Sequence, residues 1–382
     1  MAISHNARFV AIFVVLLAVL GIWILRTRNS EDAPAASRKF PEAGTLRDIR
    51  SSGEPALDPL ATAAERMSAL IRSSLEKFSA SPDPETASVI LQELRDGLRR
   101  SREEAATAAI LEFLKSGADA PTGLPFVVGP DGMMDAVPTL RTALLDLLPS
   151  LDPLAALDQA RELMDQRKSP DEYALALRNL AWNDLDGDLR GELSIRFMDL
   201  LKTPWLDQPS AGFLEAFDIA VEVGGGPMFD RLVRLAGETG AKSNTAGSRA
   251  AYMALDRMIL RDPSILTAAF ESDAKWMDFA PQQRASLLSR LDITAPSQRE
   301  VFQRYVSSVD HSEGELEYFA KLFPNGNYLH GHRLVTTDEE TPGINERSAA
   351  DARVLRELEA LEASATGKAA EVIAKIRERL KR

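Results

Sequence analysis

Residues 57–98 of the chain read LDPLATAAERMSALIRSSLEKFSASPDPETASVILQELRDGL, and most of the protein repeats their pattern. Large apolar residues recur every three or four positions, which is typical of amphipathic α-helices with one buried face. The two stripes are Leu57, Leu60, Ala64, Met67, Ile71, Leu75 and Phe78, then Ala87, Ile90, Leu91, Leu94 and Leu98. Ser81-Pro82-Asp83-Pro84 separates them, and its proline and aspartate suit a helix start. The stretch therefore predicts two antiparallel helices joined by a short turn.

The same pattern continues to Leu322 with almost no strand-like alternation. Acidic or hydroxyl residues followed by proline open further helices at Asp152-Pro153, Ser169-Pro170 and Asp262-Pro263. Ser101 is a predicted N-cap because Glu104, three residues later, completes a capping box. Each helix is too small to bury its stripe alone, so consecutive helices should pair and stack.

Two such helices with their turns occupy about 35–45 residues, the length of a helical-repeat unit. In helix length, spacing and polarity, residues 57–322 resemble the HEAT- and armadillo-like α-solenoids. The resemblance implies an all-α body of stacked antiparallel helix pairs. An irregular compact helical bundle is the alternative architecture.

A uniformly apolar segment precedes the body. Residues 9–25 read FVAIFVVLLAVLGIWIL without a charge, and a helix of that length covers about 25 Å, near the lower limit for a membrane span. No face is polar, which disfavours a core helix. We therefore predict a single uncleaved transmembrane anchor with Phe9, Leu16, Trp23 and Leu25 in the bilayer; a cleaved signal peptide is the alternative.

The predicted organisation is as follows: a short tail at 1–8, the transmembrane helix at 9–25, a flexible linker at 26–56, a helical body at 57–322 with a loop insertion at 116–138, an irregular loop at 323–343, and a C-terminal helical hairpin at 344–382. The linker is rich in proline, serine, glycine and alanine and shows no apolar period. The hairpin breaks at Thr366-Gly367, and its basic second half alternatively favours a coiled-coil contact or a contact with anionic lipid.

The side of the membrane that holds the body is predicted differently by two arguments. Basic residues are more frequent after the apolar segment than before it, which favours a cytoplasmic body by the positive-inside rule. A lone N-terminal anchor commonly acts as an export signal, and a chain without cysteine suits an oxidising compartment. We favour an extracytoplasmic body over a cytoplasmic one.

Charge and composition exclude several functions. The chain of 382 residues has 45 basic and 57 acidic side chains and no cysteine. Its net charge of −12 divides into +3 for residues 1–50, −19 for 51–367 and +4 for 368–382. A body with this much negative charge repels the phosphate backbone of nucleic acids, and we therefore expect no nucleic-acid partner. The absence of cysteine excludes a thiolate nucleophile, Cys-ligated zinc and Cys-held iron–sulfur clusters.

Two irregular segments are the candidate functional loops. In 116–138, a short strand at Leu124 to Val128 and a Gly-Pro-Asp-Gly turn predict a small hairpin. The 323–343 loop contains His330, His332 and Arg333, which we single out as a candidate partner-binding site. His-x-His with Asp338 close behind also resembles metal ligands, but the spacing matches no metal signature, so no metal or other cofactor is predicted.

The aspartates at 184, 186 and 188 lack the glycine and glutamate of a calcium loop and predict an acidic cap for the next helix. The predicted function is therefore non-catalytic: a membrane-anchored helical scaffold that contacts the lipid bilayer through residues 9–25 and binds a protein partner whose identity the sequence does not indicate. The alternative is a membrane-anchored envelope hydrolase with polar groups in the 116–138 and 323–343 loops.

Overall fold

Helices make up nearly all the regular structure of the computed structural model, which describes residues 59–81, 83–237, 246–271, 280–312, 314–326, 331–337 and 344–381. The helices are α1 Pro59–Ser79, α2 Pro84–Arg99, α3 Glu103–Ser116, α4 Leu140–Leu151, α5 Pro153–Gln166, α6 Pro170–Trp182, α7 Arg190–Leu200, α8 Ala211–Glu215, α9 Asp218–Val223, α10 Gly226–Ala236, α11 Ala246–Arg261, α12 Ser264–Glu271, α13 Pro281–Leu288, α14 Pro296–Ser307, α15 Glu315–Leu322, α16 Ile344–Glu362 and α17 Gly367–Leu380, with a 3₁₀ turn at Pro204–Leu206. Strands β1 Val127–Val128 and β2 Met134–Ala136 form an antiparallel pair between α3 and α4. The all-α prediction is confirmed.

The predicted anchor at residues 9–25, with Phe9, Leu16, Trp23 and Leu25, lies outside the described residues, as do the tail at 1–8 and the linker at 26–56. Within the part of the chain that is described, no helix combines the length and the apolar character needed to cross a membrane.

Local sequence signals place most helix starts correctly. The Asp83 carboxylate accepts the backbone N–H groups of Glu85 and Thr86 at 3.0 Å, and the Asp152 carboxylate accepts that of Ala155 at 2.9 Å. The predicted cap at Ser101 is wrong: α3 begins at Glu103, and the Ser101 hydroxyl donates to the Leu98 carbonyl at 2.8 Å instead. The hydroxyl closes the preceding helix because only three residues separate α2 from α3.

Many helices contact a helix that is not their immediate neighbour in sequence. Along the chain, α2 contacts α4, α4 contacts α6, α6 contacts α9, α9 contacts α11, and α13 contacts α15. Between them, α10 contacts α12 and α12 contacts α14. All of these contacts except α6–α9 join next-but-one helices, a pattern that is compatible with a helical-repeat fold. We call α2, α4, α6, α9, α11, α13 and α15 the inner helices.

The inner helices α4 and α6 have no solvent-exposed face over most of their length. Every residue from Leu140 to Leu148 in α4 is buried, and so is every residue from Glu172 to Leu180 in α6. An ordinary surface helix exposes one side to water. Another layer of the chain must therefore cover these helices on the side away from their pairing partners.

Buried arginine–carboxylate pairs join the inner helices, and one of them, Arg290–Asp256, joins α11 to the turn after α13. The closest N–O distances are 2.7 Å for Arg141–Glu172, 2.6 Å for Arg178–Asp146, 2.7 Å for Arg257–Asp218, 2.7 Å for Arg290–Asp256 and 2.5 Å for Arg284–Glu315. The partners are 31 to 39 residues apart in sequence, about one helix pair. We call these five pairs the buried ion-pair series.

Arg178 shows why these pairs matter. Its side chain is fully buried, and its Nη1 donates to Asp146 Oδ1 at 2.6 Å and to the Gly132 carbonyl at 2.9 Å. Its guanidinium carbon also lies 4.2 Å from the centre of the Trp182 ring. Burial lowers the pKa of the Arg178 guanidinium, and the Asp146 carboxylate opposes that shift. Desolvating two such charges is costly, so neither partner is tolerable without the other.

Replacing Arg178 with methionine should lower the free energy of unfolding by about 3–5 kcal/mol, because Asp146 would remain buried without its main counter-charge. The matched control is Lys77→Met, which removes an exposed pair to Glu93 at 3.3 Å and should cost less than about 1 kcal/mol. Urea unfolding followed by circular dichroism measures both. Equal losses in the two variants would contradict the account.

Glu315 predicts how stability varies with pH. Burial raises the pKa of the Glu315 carboxyl, but hydrogen bonds from Arg284, Tyr305 and Ser312 outweigh it and hold the pKa below its ordinary value. A carboxylate with a lowered folded-state pKa adds stability that is complete above its unfolded pKa and is lost as pH falls below it. The native chain should therefore exceed Glu315→Gln in unfolding free energy by a constant amount at neutral pH, and by a shrinking amount below about pH 4. Urea titrations between pH 7 and pH 3 test this, with the exposed Glu317→Gln as control; a difference that does not change with pH would sink the prediction.

Candidate functional site

The 116–138 insertion covers one part of the inner helices. Its strands pair Val127 with Ala136 and Val128 with Met134, as the predicted hairpin requires. The backbone N–H of Met134 donates to Asp146 Oδ1 at 3.0 Å, and the Arg95 guanidinium of α2 donates to the Met134 carbonyl at 3.2 Å. The insertion is thus fixed to α2 and α4 through the same carboxylate that pairs with Arg178.

Residues 331–337 cover the next part of the inner helices, and we call them the strap. The Asp218 carboxylate of α9 accepts the backbone N–H groups of Val335 and Thr336, each at 2.7 Å. The Arg257 guanidinium of α11 donates to Thr336 Oγ1 at 2.6 Å and to the carbonyl of His332. One member of the buried ion-pair series therefore holds the strap as well as joining two helices.

Insertion and strap meet at Gly132. This residue has φ of +79°, and a Cβ placed on it would lie 2.9 Å from Trp182 Cζ2 and 3.1 Å from the Leu334 carbonyl oxygen. Only glycine allows both the left-handed backbone and this approach. Leu334 is fully buried at the junction. The insertion, bonded to Asp146 of α4 and Arg178 of α6, thus meets the strap, which is bonded to α9 and α11.

The predicted partner-binding residues are only partly described. His330 lies outside the described residues, whereas His332 and Arg333 belong to the strap. His332 Nδ1 lies 3.3 Å from Glu215 Oε1, and its buried Nε2 has no hydrogen-bond partner among the described residues. The Arg333 backbone N–H donates to Glu215 Oε2 at 3.1 Å. Both described residues are thus engaged with the end of α8 and are half-buried.

The other candidate motifs have structural roles where they are described. Asp184 Oδ1 accepts the Leu189 N–H at 2.8 Å, immediately before α7, as an acidic cap would. Among the residues that the structure describes, no three His, Asp or Glu side chains are grouped closely enough to hold a metal ion. The insertion side chains of Thr122 and Asp131 bond to backbone groups of the insertion itself, and the Thr336 hydroxyl of the strap bonds to Asp218 and Arg257. Under His332, between Asp218 and Arg257, no room remains even for a water molecule.

A polar pocket lies elsewhere, and the sequence did not indicate it. It encloses about 430 Å³ at the ends of α13 and α15, the Pro324–Gly326 turn, the first half of α16 and the end of α17. Helix α17 packs on α14 and α15 as well as on α16. Two basic side chains pair with Glu359 of α16: Arg377 of α17 at 3.2 Å and Lys381, just after α17, at 3.5 Å.

Sequence reasoning also missed the buried ion-pair series. Its signal was present: Arg178, Asp218 and Asp256 stand in runs such as LALRNLAW, AFDIAV and ALDRMIL that are apolar on every helical face. A charged side chain in such a run cannot reach solvent from any face of the helix, so it requires a buried counter-charge.

Comparison of the chain with protein-family models, curated proteins and solved structures found no significant match.

The strap can be tested through Asp218. In Asp218→Asn, an amide NH₂ would replace a charged acceptor of the strap N–H groups, and Arg257 would lose its counter-charge. Each lost charge-assisted hydrogen bond is worth about 1.5–3 kcal/mol, so amide exchange of Val335 and Thr336 should accelerate at least about tenfold. Native-state hydrogen exchange measures the rates, with Glu222→Gln as control because its pair with Arg261 is longer, at 3.6 Å, and partly exposed. Unchanged exchange in Asp218→Asn would show that Asp218 does not hold the strap.

Proposed function

We propose that this protein is a membrane-anchored helical scaffold of the HEAT- or armadillo-like α-solenoid type, with residues 9–25 as its anchor and the stacked helices as a surface for another protein. The observation that carries the proposal is that the backbone of the two irregular segments is hydrogen-bonded to carboxylates of the helices. Asp146, Asp218 and Glu215 are hydrogen-bonded to backbone groups of the insertion and strap. Their engagement within the fold supports a binding role over the hydrolase alternative.

The solenoid part of the proposal rests on the repeating contacts. Each buried ion pair joins partners one helix pair apart, and the outer helices α5 and α7 are joined in the same way. Arg161 pairs with Glu192 at 2.8 Å and Arg196 with Asp165 at 2.6 Å, both over 31 residues. A recurrent offset of this size supports repeat units rather than an irregular bundle.

Exposed apolar side chains on the outer helices indicate where a partner would bind. Leu154 of α5 is 72% exposed, Leu185 before α7 is 90% exposed and Ile195 of α7 is 65% exposed. Leu185 follows Leu154 by 31 residues, the same offset that separates the ion-paired residues of α5 and α7. We call Leu154, Leu185 and Ile195 the outer apolar set.

Acidic side chains lie close in sequence to the members of the outer apolar set. Asp158 and Glu162 of α5 and Asp186 and Asp188 before α7 are exposed. Apolar anchors among acids favour a partner surface that presents apolar side chains with basic residues around them.

Site-specific photo-crosslinking in the full chain tests the binding surface. A benzophenone side chain at position 195 or 154 should give one discrete adduct with a second protein. The same group at Glu76, an exposed position on α1, should not. Ile195→Asp should abolish the adduct formed from position 154 while changing the unfolding free energy by no more than about 0.5 kcal/mol, because the side chain is exposed. Absence of an adduct from both positions, or the same adducts from position 76, would contradict the proposed surface.

The anchor and the side of the body have their own test. After alkaline carbonate washing, the full chain should stay with membranes and a chain lacking residues 1–28 should be released. We propose an extracytoplasmic body, so alkaline phosphatase fused after Arg382 should be active. Release of the full chain by the wash would contradict the proposed anchor. An inactive phosphatase on a membrane-bound chain would place the body in the cytoplasm.

A further inference from the structure

The polar pocket at the C-terminal end of the stack is independent of the proposed scaffold surface. Its volume of about 430 Å³ falls in the range of small-molecule sites. Six charged side chains line it: Arg290, Lys321, Glu346, Arg347, Asp351 and Arg379. Four cations against two acids stand in contrast to the acidic body of the protein.

Arg290 lines the pocket, and its charge is already balanced by the Asp256 carboxylate. Its Nε and Nη2 donate to the two Asp256 oxygens at 3.0 and 2.7 Å, and its Nη1 donates to the Asn325 carbonyl at 2.9 Å. Arg290 thus holds the Pro324–Gly326 turn at the rim of the pocket. The other three cations of the lining are Lys321, Arg347 and Arg379.

Arg379 has a different environment. Its Nε donates to the Ala320 carbonyl at 3.3 Å and its Nη2 donates to the Phe323 carbonyl, both at the end of α15. Neither acceptor carries a formal charge, and no described carboxylate lies within 4 Å of this guanidinium. Its Nη1 makes no hydrogen bond to a described residue and remains available to the pocket. Burial lowers the pKa of Arg379, and the Asp351 charge opposes that shift, so a closer anion would relieve an existing cost.

Two further cations add to Arg379. Lys321 is paired only loosely, at 3.6 Å, with the exposed Glu317. Arg347 is exposed in the first turn of α16, and it makes no ion pair with a described residue. The free N–H groups at a helix start add positive potential on that side. Three incompletely balanced cations therefore converge on one space, and the Asp351 carboxylate at its edge could accept a hydrogen bond from a donor group of a ligand.

We propose that this pocket binds a small organic oxyanion, through a carboxylate or phosphate group held by Arg379, Arg347 and Lys321. Guanidinium groups bind both kinds of oxyanion in forked, charge-assisted hydrogen bonds. A ligand there would bridge the end of the helical stack and the α16–α17 pair, so binding should also stabilise the folded chain.

The test is calorimetric titration of the purified full chain in detergent with inorganic phosphate and, separately, with citrate, at constant ionic strength set with chloride. Saturable binding of either anion supports the site, and the anion preferred identifies the phosphate or the carboxylate class. The affinity should fall as chloride increases, since screening weakens these contacts. No saturable heat with either anion overturns the proposal.

Two variants on α16 locate the site. Arg347→Gln removes an exposed cation that makes no described contact, so it should fold normally and bind about tenfold more weakly, the loss expected for one charge-assisted hydrogen bond. The control, Arg353→Gln, removes another exposed cation of the same helix that lies outside the pocket, and this variant should bind like the native chain. Equal affinity in Arg347→Gln and the native chain, or equal losses in both variants, would place any anion binding elsewhere. Arg379→Lys, which keeps the charge but not the fork, should weaken binding as well; unchanged affinity in it would remove Arg379 from the site.

Discussion

Pairing of buried charges between next-but-one helices is the constraint on which the rest of this structure depends. An arginine without contact to water is tolerated only opposite a carboxylate, and that requirement fixes which helices are neighbours and how far each is shifted along the next. Asp146 shows the coupling most fully, because it accepts from Arg178 of α6, from the backbone of the insertion and from Arg95 of α2. Apolar stripes alone would allow one helix to pack on another at several positions along its axis. A bidentate arginine–carboxylate pair allows few such positions.

The same charges explain why the middle of the stack is covered. Insertion and strap bring backbone N–H and carbonyl groups to Asp146, Arg178, Asp218 and Arg257, which then have no unsatisfied polar atoms. A helical stack whose inner side is filled by its own chain cannot offer that part of the side to a partner. The surfaces that we propose for binding are α5 and α7, with the outer apolar set, and the polar pocket at the C-terminal end, where the cations are incompletely balanced.

Helix starts, buried stripes and the hairpin of the insertion could be predicted because they depend on neighbours in sequence: a cap, an apolar period of three to four, a Gly-Pro-Asp-Gly turn. The failed cap at Ser101 shows the limit even there, since a hydroxyl can close the helix before it as well as open the one after it. The ion pairs, the strap on Asp218 and the pocket depend on partners 31 to 118 residues apart. Their existence was signalled by charges in all-apolar runs, but a single sequence does not say which acid meets which arginine.

A double-mutant cycle on Arg141 and Glu172 tests the central role of these pairs most directly. The two side chains form a bidentate pair at 2.7 and 2.9 Å between α4 and α6. The unfolding free energies of the native chain, Arg141→Leu, Glu172→Leu and the double variant give the coupling energy of the pair. The account predicts a coupling above about 2 kcal/mol, against less than about 1 kcal/mol for the same cycle on the more exposed Arg161 and Glu192. A coupling near zero for Arg141 and Glu172 would show that apolar packing alone sets the position of these helices.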